Sequence, residues 1–184
     1  MTLTETPTCN FGEKAKKFNL LSTENRKLSL GDVKGKNGTL IMFICNHCPY
    51  VKAVIKYIVE DTKYLETLGI KSAAIMSNDV NNYPEDSFEN MISFSKLYAF
   101  SFPYLIDKTQ EVAKEYGAVC TPDFFGYNKN LELQYRGRIR ELKNLKPVKK
   151  GDSDLNIAMK LIATSGKGPK NQIPSMGCNI KWFK

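Results

Sequence analysis

The sequence predicts an α/β protein, a central mixed β-sheet flanked by helices on both faces. Three observations lead there. A continuous apolar run, 40–44, has the length of a buried strand and passes directly into a helical stripe. A second apolar run, 70–77, follows one helix later, the spacing of a parallel βαβ unit. The last third then reads as a hairpin followed by one more amphipathic helix.

Taken in order, residues 10–38 are polar and dotted with glycine. Phe18, Leu20 and Leu21 mark a short strand, 23–26 a turn, and Leu28 and Leu30 the return strand, giving an N-terminal hairpin. Gly35-Lys36-Asn37-Gly38 turns into the central strand at 39–44. Pro49 suits a first helical turn, where its missing N–H is no loss. Val51, Val54, Ile55, Ile58 and Val59 then share one stripe of a helix over 49–67, with Gly69 as its stop. The strand at 70–77 leads into a polar loop, 78–83, at the end of the sheet where open α/β folds place their sites.

Pro84 and the acids after it open the next helix, with Phe88, Met91, Ile92, Ser95 and Ala99 on its core side. A short strand at 102–107 and a helix at 109–116 follow, the helix turning Val112, Ala113 and Tyr116 inward and stopping at Gly117. Strands at 121–127 and 131–139 form the hairpin. The last helix, 152–165, carries Leu155, Ala158, Met159 and Ile162 on one face. This order is the thioredoxin topology with an N-terminal hairpin extension. Residues 1–165 are expected to form that domain. Residues 166–184 are read as a tail with no regular element, because Gly166, Gly168, Pro169, Pro174 and Gly177 break it up. Its end is apolar (Ile180, Trp182, Phe183), so it is expected to pack back on the domain and hold Cys178 in place.

With 184 residues the chain fits one domain with a full core. No apolar run approaches the ~20 residues of a membrane span. The first residues show no apolar leader segment, so a cytoplasmic, reducing location is expected. There cysteines serve catalysis or metals more often than structure, and five is an odd number for a disulfide framework. The net charge of +8 is concentrated late: residues 1–135 hold 15 basic against 16 acidic side chains, and 136–184 hold 12 against 3. No nucleic-acid motif accompanies this charge, so it is read as a solvated lysine-rich surface, with neither nucleic acid nor membrane as partner.

The chemistry centres on Cys45-Asn46-His47-Cys48-Pro49, where the buried strand hands over to the helix. A helix N-terminus offers partial positive charge and open N–H groups, which favour a thiolate. Two cysteines two residues apart in this setting are the pattern of a thioredoxin-like redox site. Cys45 is expected to be the more exposed, attacking sulfur, and Cys48 the more buried one that resolves the mixed disulfide. His47, the single histidine, can stabilise the thiolate. The competing readings are two inert core cysteines and a zinc or copper site built from Cys45, His47, Cys48 and Cys120. Pro122 follows Thr121 at a strand start, where a proline points to an edge or a cis bond. Such a loop beside the dithiol would leave the Thr121 backbone open to pair with a substrate chain. Cys120 would then lie near the site, and Cys178 could reach it from the tail as a third redox cysteine. Cys9 lies in an N-terminal segment expected to be mobile.

The stretches FICNHCPYVKAV, SNDVNNYPEDS, FPYLID, EVAKEYGAVCTPDFF and PSMGCNIKW resemble the peroxiredoxin-like proteins of the redoxin (alkyl hydroperoxide reductase/thiol-specific antioxidant) superfamily. The resemblance runs from Phe18 to Trp182. It implies a thioredoxin fold, a CxxC centre and a cis-proline at Pro122; no cofactor is expected. Two departures bear on activity. Peroxiredoxins carry Thr-x-x-Cys-Pro, and here Cys48-Pro49 matches its end while Cys45 stands in the threonine's place. Their strand arginine is also missing from the stretch after Thr121, the nearest being Arg136 on the next strand. The leading expectation is therefore a thiol–disulfide oxidoreductase that cycles Cys45 and Cys48 between a disulfide substrate and a thiol electron donor. The alternatives are a thiol peroxidase using Cys48 and a thioredoxin-fold metal carrier.

Overall fold

The chain runs β1 (Leu3–Glu5), β2 (Asn19–Ser22), β3 (Lys27–Ser29), β4 (Gly38–Phe43), α1 (Pro49–Thr67), β5 (Ile70–Met76), α2 (Phe88–Leu97) and β6 (Tyr104–Ile106). It continues with α3 (Glu111–Tyr116), β7 (Cys120–Thr121), β8 (Asp123–Asn128), β9 (Leu133–Arg136), β10 (Leu142–Lys143), β11 (Lys146–Pro147), α4 (Asp154–Ser165) and β12 (Met176–Asn179). The structure is a computed structural model and describes residues 2–148 and 151–184. The main sheet has the order β3-β2-β6-β5-β4-β8-β9. β4 is parallel to β5 and antiparallel to β8, which makes the sheet mixed, as expected. Among the described residues no helix is long and apolar enough to cross a membrane.

β4 is buried along its whole length and sends alternate side chains to two cores. Leu40 and Met42 pack with Val51, Ile55 and Ile58 of α1, Met91 of α2 and Met159 of α4. Ile41 and Phe43 pack with Val112, Ala113 and Tyr116 of α3 on the other face. This two-sided burial is why β4 reads as a continuous apolar run. It also fixes the end of β4, and so the start of α1, in the centre of the molecule.

Several expectations need correction. The segment from Pro84 is a 3-10 turn, Pro84–Asp86, and α2 begins at Phe88. Ser87 caps that helix, its hydroxyl accepting from the Asn90 N–H at 3.3 Å. Phe94 rather than Ala99 completes the core side of α2. The strand expected at 121–127 is interrupted after Thr121, because Pro122 has no N–H for a ladder. The tail does contain a regular element. β12 is the middle strand of a small sheet, antiparallel to β1 on one side and to β7 on the other. In the apolar end of the tail Ile180 is buried, but Trp182 and Phe183 remain 37% and 44% exposed. Phe183 is held through its backbone, its N–H donating to Gln110 Oε1 at 2.9 Å.

Candidate active site

Cys48 is the N-cap of α1, with Pro49 in the first turn. Cys45 ends the extension of β4. Both are buried, at 1% (Cys45) and 0% (Cys48) exposure, so the expected contrast of an exposed first and a buried second cysteine is absent. The Thr121–Pro122 peptide is cis and packs directly on the pair. Thr121 Oγ1 lies 3.4 Å from Cys45 Sγ, and the Thr121 carbonyl oxygen lies 3.1 Å from Cys48 Sγ. Pro122 O in turn accepts from the Ser175 hydroxyl at 2.7 Å.

A third thiol completes the cluster. Cys178 of β12 is paired with Thr121 in the register, and its Sγ is 3.0 Å from Cys48 Sγ. The edge of β7 is therefore taken by the chain's own tail strand. This corrects the expectation that Thr121 is open to a substrate backbone. Cys120 does not join the cluster. Strand alternation turns it away from the side of Thr121, and its Sγ lies 3.6 Å from the Pro122 carbonyl oxygen. Burial pushes its thiol up. Cys9 packs against the core on the α3 face, and burial raises its pKa to about 11.

The three thiols differ in acidity. The Cys48 pKa is lowered, chiefly by the hydrogen bond from the Cys45 thiol. Burial opposes this, and the Cys178 thiol and the Val51 N–H in the first turn of α1 add to it. Cys45 is correspondingly raised, first by its bond to Cys48 and then by burial. Cys178 is pushed up to about 12 by burial and by its bond to Cys48. The balance of these contacts favours ionisation of Cys48 over that of Cys45 or Cys178.

Asp86 organises the loop between the cysteines. Its Oδ1 accepts from the Asn46 N–H at 2.8 Å and the His47 N–H at 3.3 Å. Its Oδ2 lies 2.7 Å from His47 Nδ1 and accepts from Asn78 Nδ2 at 2.8 Å. The His47 pKa is raised, mainly by this hydrogen bond to Asp86, with burial opposing and the Cys48 charge assisting. Burial alone would raise Asp86, but the bonds from His47 and Asn78 outweigh it and hold the carboxyl below its usual range. The His47 ring stacks on Tyr83, with centroids 5.7 Å apart. Asp86 was not singled out from the sequence, where it reads as an ordinary acid at a helix start. The available signal was its position just after the site-bordering loop 78–83.

Among the described residues, the donors that could hold a metal are Cys45, His47 and Asp86, whose ligand atoms lie within 4.8 Å of one another. The set differs from the one expected, since Cys120 faces elsewhere. The His47 Nδ1 that would bind a metal is already engaged by Asp86. Arg136 is also engaged. It pairs with Asp123 at 2.9 Å, donates to the Gly117 carbonyl at 2.7 Å, and lies over the Phe125 ring.

A conserved protein from Geobacillus kaustophilus, described as uncharacterized, superimposes with a TM-score of 0.94 at 38% identity, covering 100% of this chain and 97% of that one. A thioredoxin family thiol:disulfide interchange protein from Chlorobium tepidum superimposes with a TM-score of 0.62 at 16% identity, covering 83% of this chain and 97% of that one, and shows the thioredoxin fold. The thiol-disulfide oxidoreductase ResA of Bacillus thuringiensis is 27% identical over 119 residues, 65% of this chain and 64% of its own. The chain thus spans just under two thirds of this curated relative. The AhpC/TSA family model matches residues 11–142, the whole main sheet together with Cys45, Cys48 and Pro122, and the chain belongs to the AhpC/TSA family.

Proposed function

We propose that the protein is a thiol–disulfide oxidoreductase that cycles Cys45 and Cys48 between dithiol and disulfide. The observation that carries this reading is the placement of Cys48 at the N-terminus of α1, with Cys45 and Cys48 both held against Thr121 of the cis-proline loop. Exchange needs an attacking thiolate and a second thiol that can follow it. The Cys48 thiolate attacks a substrate disulfide, forms a mixed disulfide, and expels one substrate thiolate. Cys45, once deprotonated, attacks Cys48 Sγ, expels the second substrate thiolate and closes the Cys45–Cys48 disulfide. A thiol donor then returns both cysteines to the reduced state. The name of the ResA relatives supports a disulfide as substrate and a thiol–disulfide reaction. The odd cysteine count favours a reducing compartment.

A second reading is favoured by the lowered pKa of Cys48. Cys48, before Pro49, is the position at which the family resemblance places a peroxide-reducing cysteine. In that case Cys48 is oxidised to a sulfenic acid and Cys45 condenses with it to the disulfide, releasing water.

One experiment separates the two. Reduced protein is mixed with one equivalent of oxidised glutathione or of hydrogen peroxide, and the Cys45–Cys48 disulfide is followed by mass. The oxidoreductase reading expects rapid closure with glutathione and slow closure with peroxide. Rapid closure with peroxide alone replaces it by the peroxidase reading, and closure with neither removes both.

A further inference from the structure

The tail strand places a third cysteine against the Cys45–Cys48 pair. β7 ends at the cis Thr121–Pro122 peptide, beside the dithiol, and its edge is paired with β12. Cys178 is the residue of β12 opposite Thr121, on the same side as the Thr121 hydroxyl that lies against Cys45. Its Sγ is 3.0 Å from Cys48 Sγ, about 1 Å longer than a disulfide bond. It is 4% exposed, so all three sulfurs share one buried cluster.

The surrounding contacts hold this register closely. Gly177 has no room for a side chain, since a Cβ there would overlap the Thr121 carbonyl oxygen. Ser175 is bound through its hydroxyl to Pro122 and through its backbone N–H to Thr6 Oγ1 at 3.0 Å. On the other side of Cys178, the Lys181 N–H donates to Asn78 Oδ1 at 2.9 Å, and its carbonyl accepts from the Asp79 N–H and Gln110 Nε2, both at 2.8 Å. The strand is thus fixed before and after Cys178.

We infer that Cys178 is a third redox thiol, which exchanges with the Cys45–Cys48 disulfide to form a Cys48–Cys178 disulfide. The inference rests on the oxidoreductase reading of Cys45 and Cys48. In the step, Cys178 attacks Cys48 Sγ. The Cys48–Cys178 bond forms as the Cys45–Cys48 bond breaks, Cys45 leaves as the thiolate and takes up the proton that Cys178 gives up. The step is an isomerisation between two disulfides and consumes no further oxidant. Ionisation of the attacking thiol becomes easier once the first disulfide has formed. Part of what holds the Cys178 proton is the hydrogen bond to Cys48 and the negative charge on it, and both vanish when Cys48 is in a disulfide with Cys45. The Lys181 ammonium then favours the Cys178 thiolate. The product ties β12 covalently to the start of α1 and closes the β7 edge. With the Cys45–Cys48 disulfide the strand is held by hydrogen bonds and packing alone.

The test uses the full chain carrying Cys45→Ser, treated with oxidised glutathione, alkylated and mapped by mass. The expected result is a Cys48–Cys178 disulfide and loss of Cys178 alkylation. A persistent Cys48–glutathione mixed disulfide with Cys178 still alkylated overturns the inference and leaves the oxidoreductase reading standing. Cys48 unmodified here and in the wild type overturns both. Wild-type protein, partially oxidised and quenched in acid, gives an independent readout. The inference expects both the Cys45–Cys48 and the Cys48–Cys178 peptide pairs, and only the first at every stage of oxidation sinks it.

Discussion

Asp86 Oδ2 lies 2.7 Å from His47 Nδ1, while Oδ1 of the same carboxylate accepts the backbone N–H groups of Asn46 and His47. One buried side chain thus holds both the backbone of the loop between the cysteines and the imidazole within it.

This arrangement sets a pH window. A raised His47 pKa contributes stability that is complete below the unfolded value of about 6.5 and is lost as pH rises through the folded value. A lowered Asp86 pKa contributes stability present above about 3.9 and lost as pH falls through the folded value. The pair is therefore at full strength between about pH 4 and 6.5. Asp86→Asn is expected to cost on the order of 2 kcal/mol or more there. Urea unfolding at about pH 5.5 and about pH 9 should show the gap between wild type and variant narrowing at the higher pH. A gap that does not narrow would mean that the imidazolium contributes nothing.

The proton distribution over the thiols makes an ordered prediction. Ultraviolet thiolate absorbance should titrate first with a midpoint well below the ordinary thiol value of about 8.5. Cys48→Ala should abolish that first step. Cys45→Ala should move it up, and Cys178→Ala should move it up by less, because the Cys45 thiol is the larger contributor. The reverse order would assign the charge to a different pair.

Gly177→Ala tests whether the tail strand controls access. The added methyl meets the Thr121 carbonyl and the Pro122 nitrogen and must push β12 away from β7. The expected stability loss is about 1–3 kcal/mol. Native-state alkylation of Cys48 should become faster. Destabilisation with no change in alkylation rate would show that reagents reach Cys48 by a route that does not involve β12.

Arg136 has a structural task that can be measured separately from the thiols. It is the ionic partner of Asp123, which is 0% exposed and directly follows Pro122. Arg136→Met leaves that carboxylate buried without its partner and is expected to cost about 3–5 kcal/mol. Adding Asp123→Asn should recover much of the loss in denaturant unfolding. If the double variant is no better than Arg136→Met alone, the lost packing on Phe125 rather than the ion pair accounts for the effect.

Much of this architecture is legible in the sequence because its causes are local. The stripe from Val51 to Val59 specifies α1, and the run at 40–44 specifies a strand buried on both faces. Thr121-Pro122 is legible because proline interrupts a ladder wherever it stands. β12 is hidden because its reasons are distant. Its partners are residues 3–5 and 120–121, and the glycine that breaks the local pattern is the residue that lets the strand approach Thr121. Asp86 is hidden for the same reason, since what it binds lies about forty residues earlier. The difference in acidity between Cys45 and Cys48 depends on which neighbouring thiol donates to which, and no spacing rule encodes that.

The small sheet β1-β12-β7 has a practical consequence for handling the protein. β1 is the outer strand, with Leu3 opposite Cys178, so the first residues of the chain brace the strand that covers the thiols. An affinity tag fused upstream of Leu3, or a protease that trims those residues, acts next to the buried thiol cluster although it is remote from Cys45 and Cys48 in sequence. Rates and potentials measured on tagged and untagged material are expected to differ, and a tag placed after Lys184 meets the same strand from its other end.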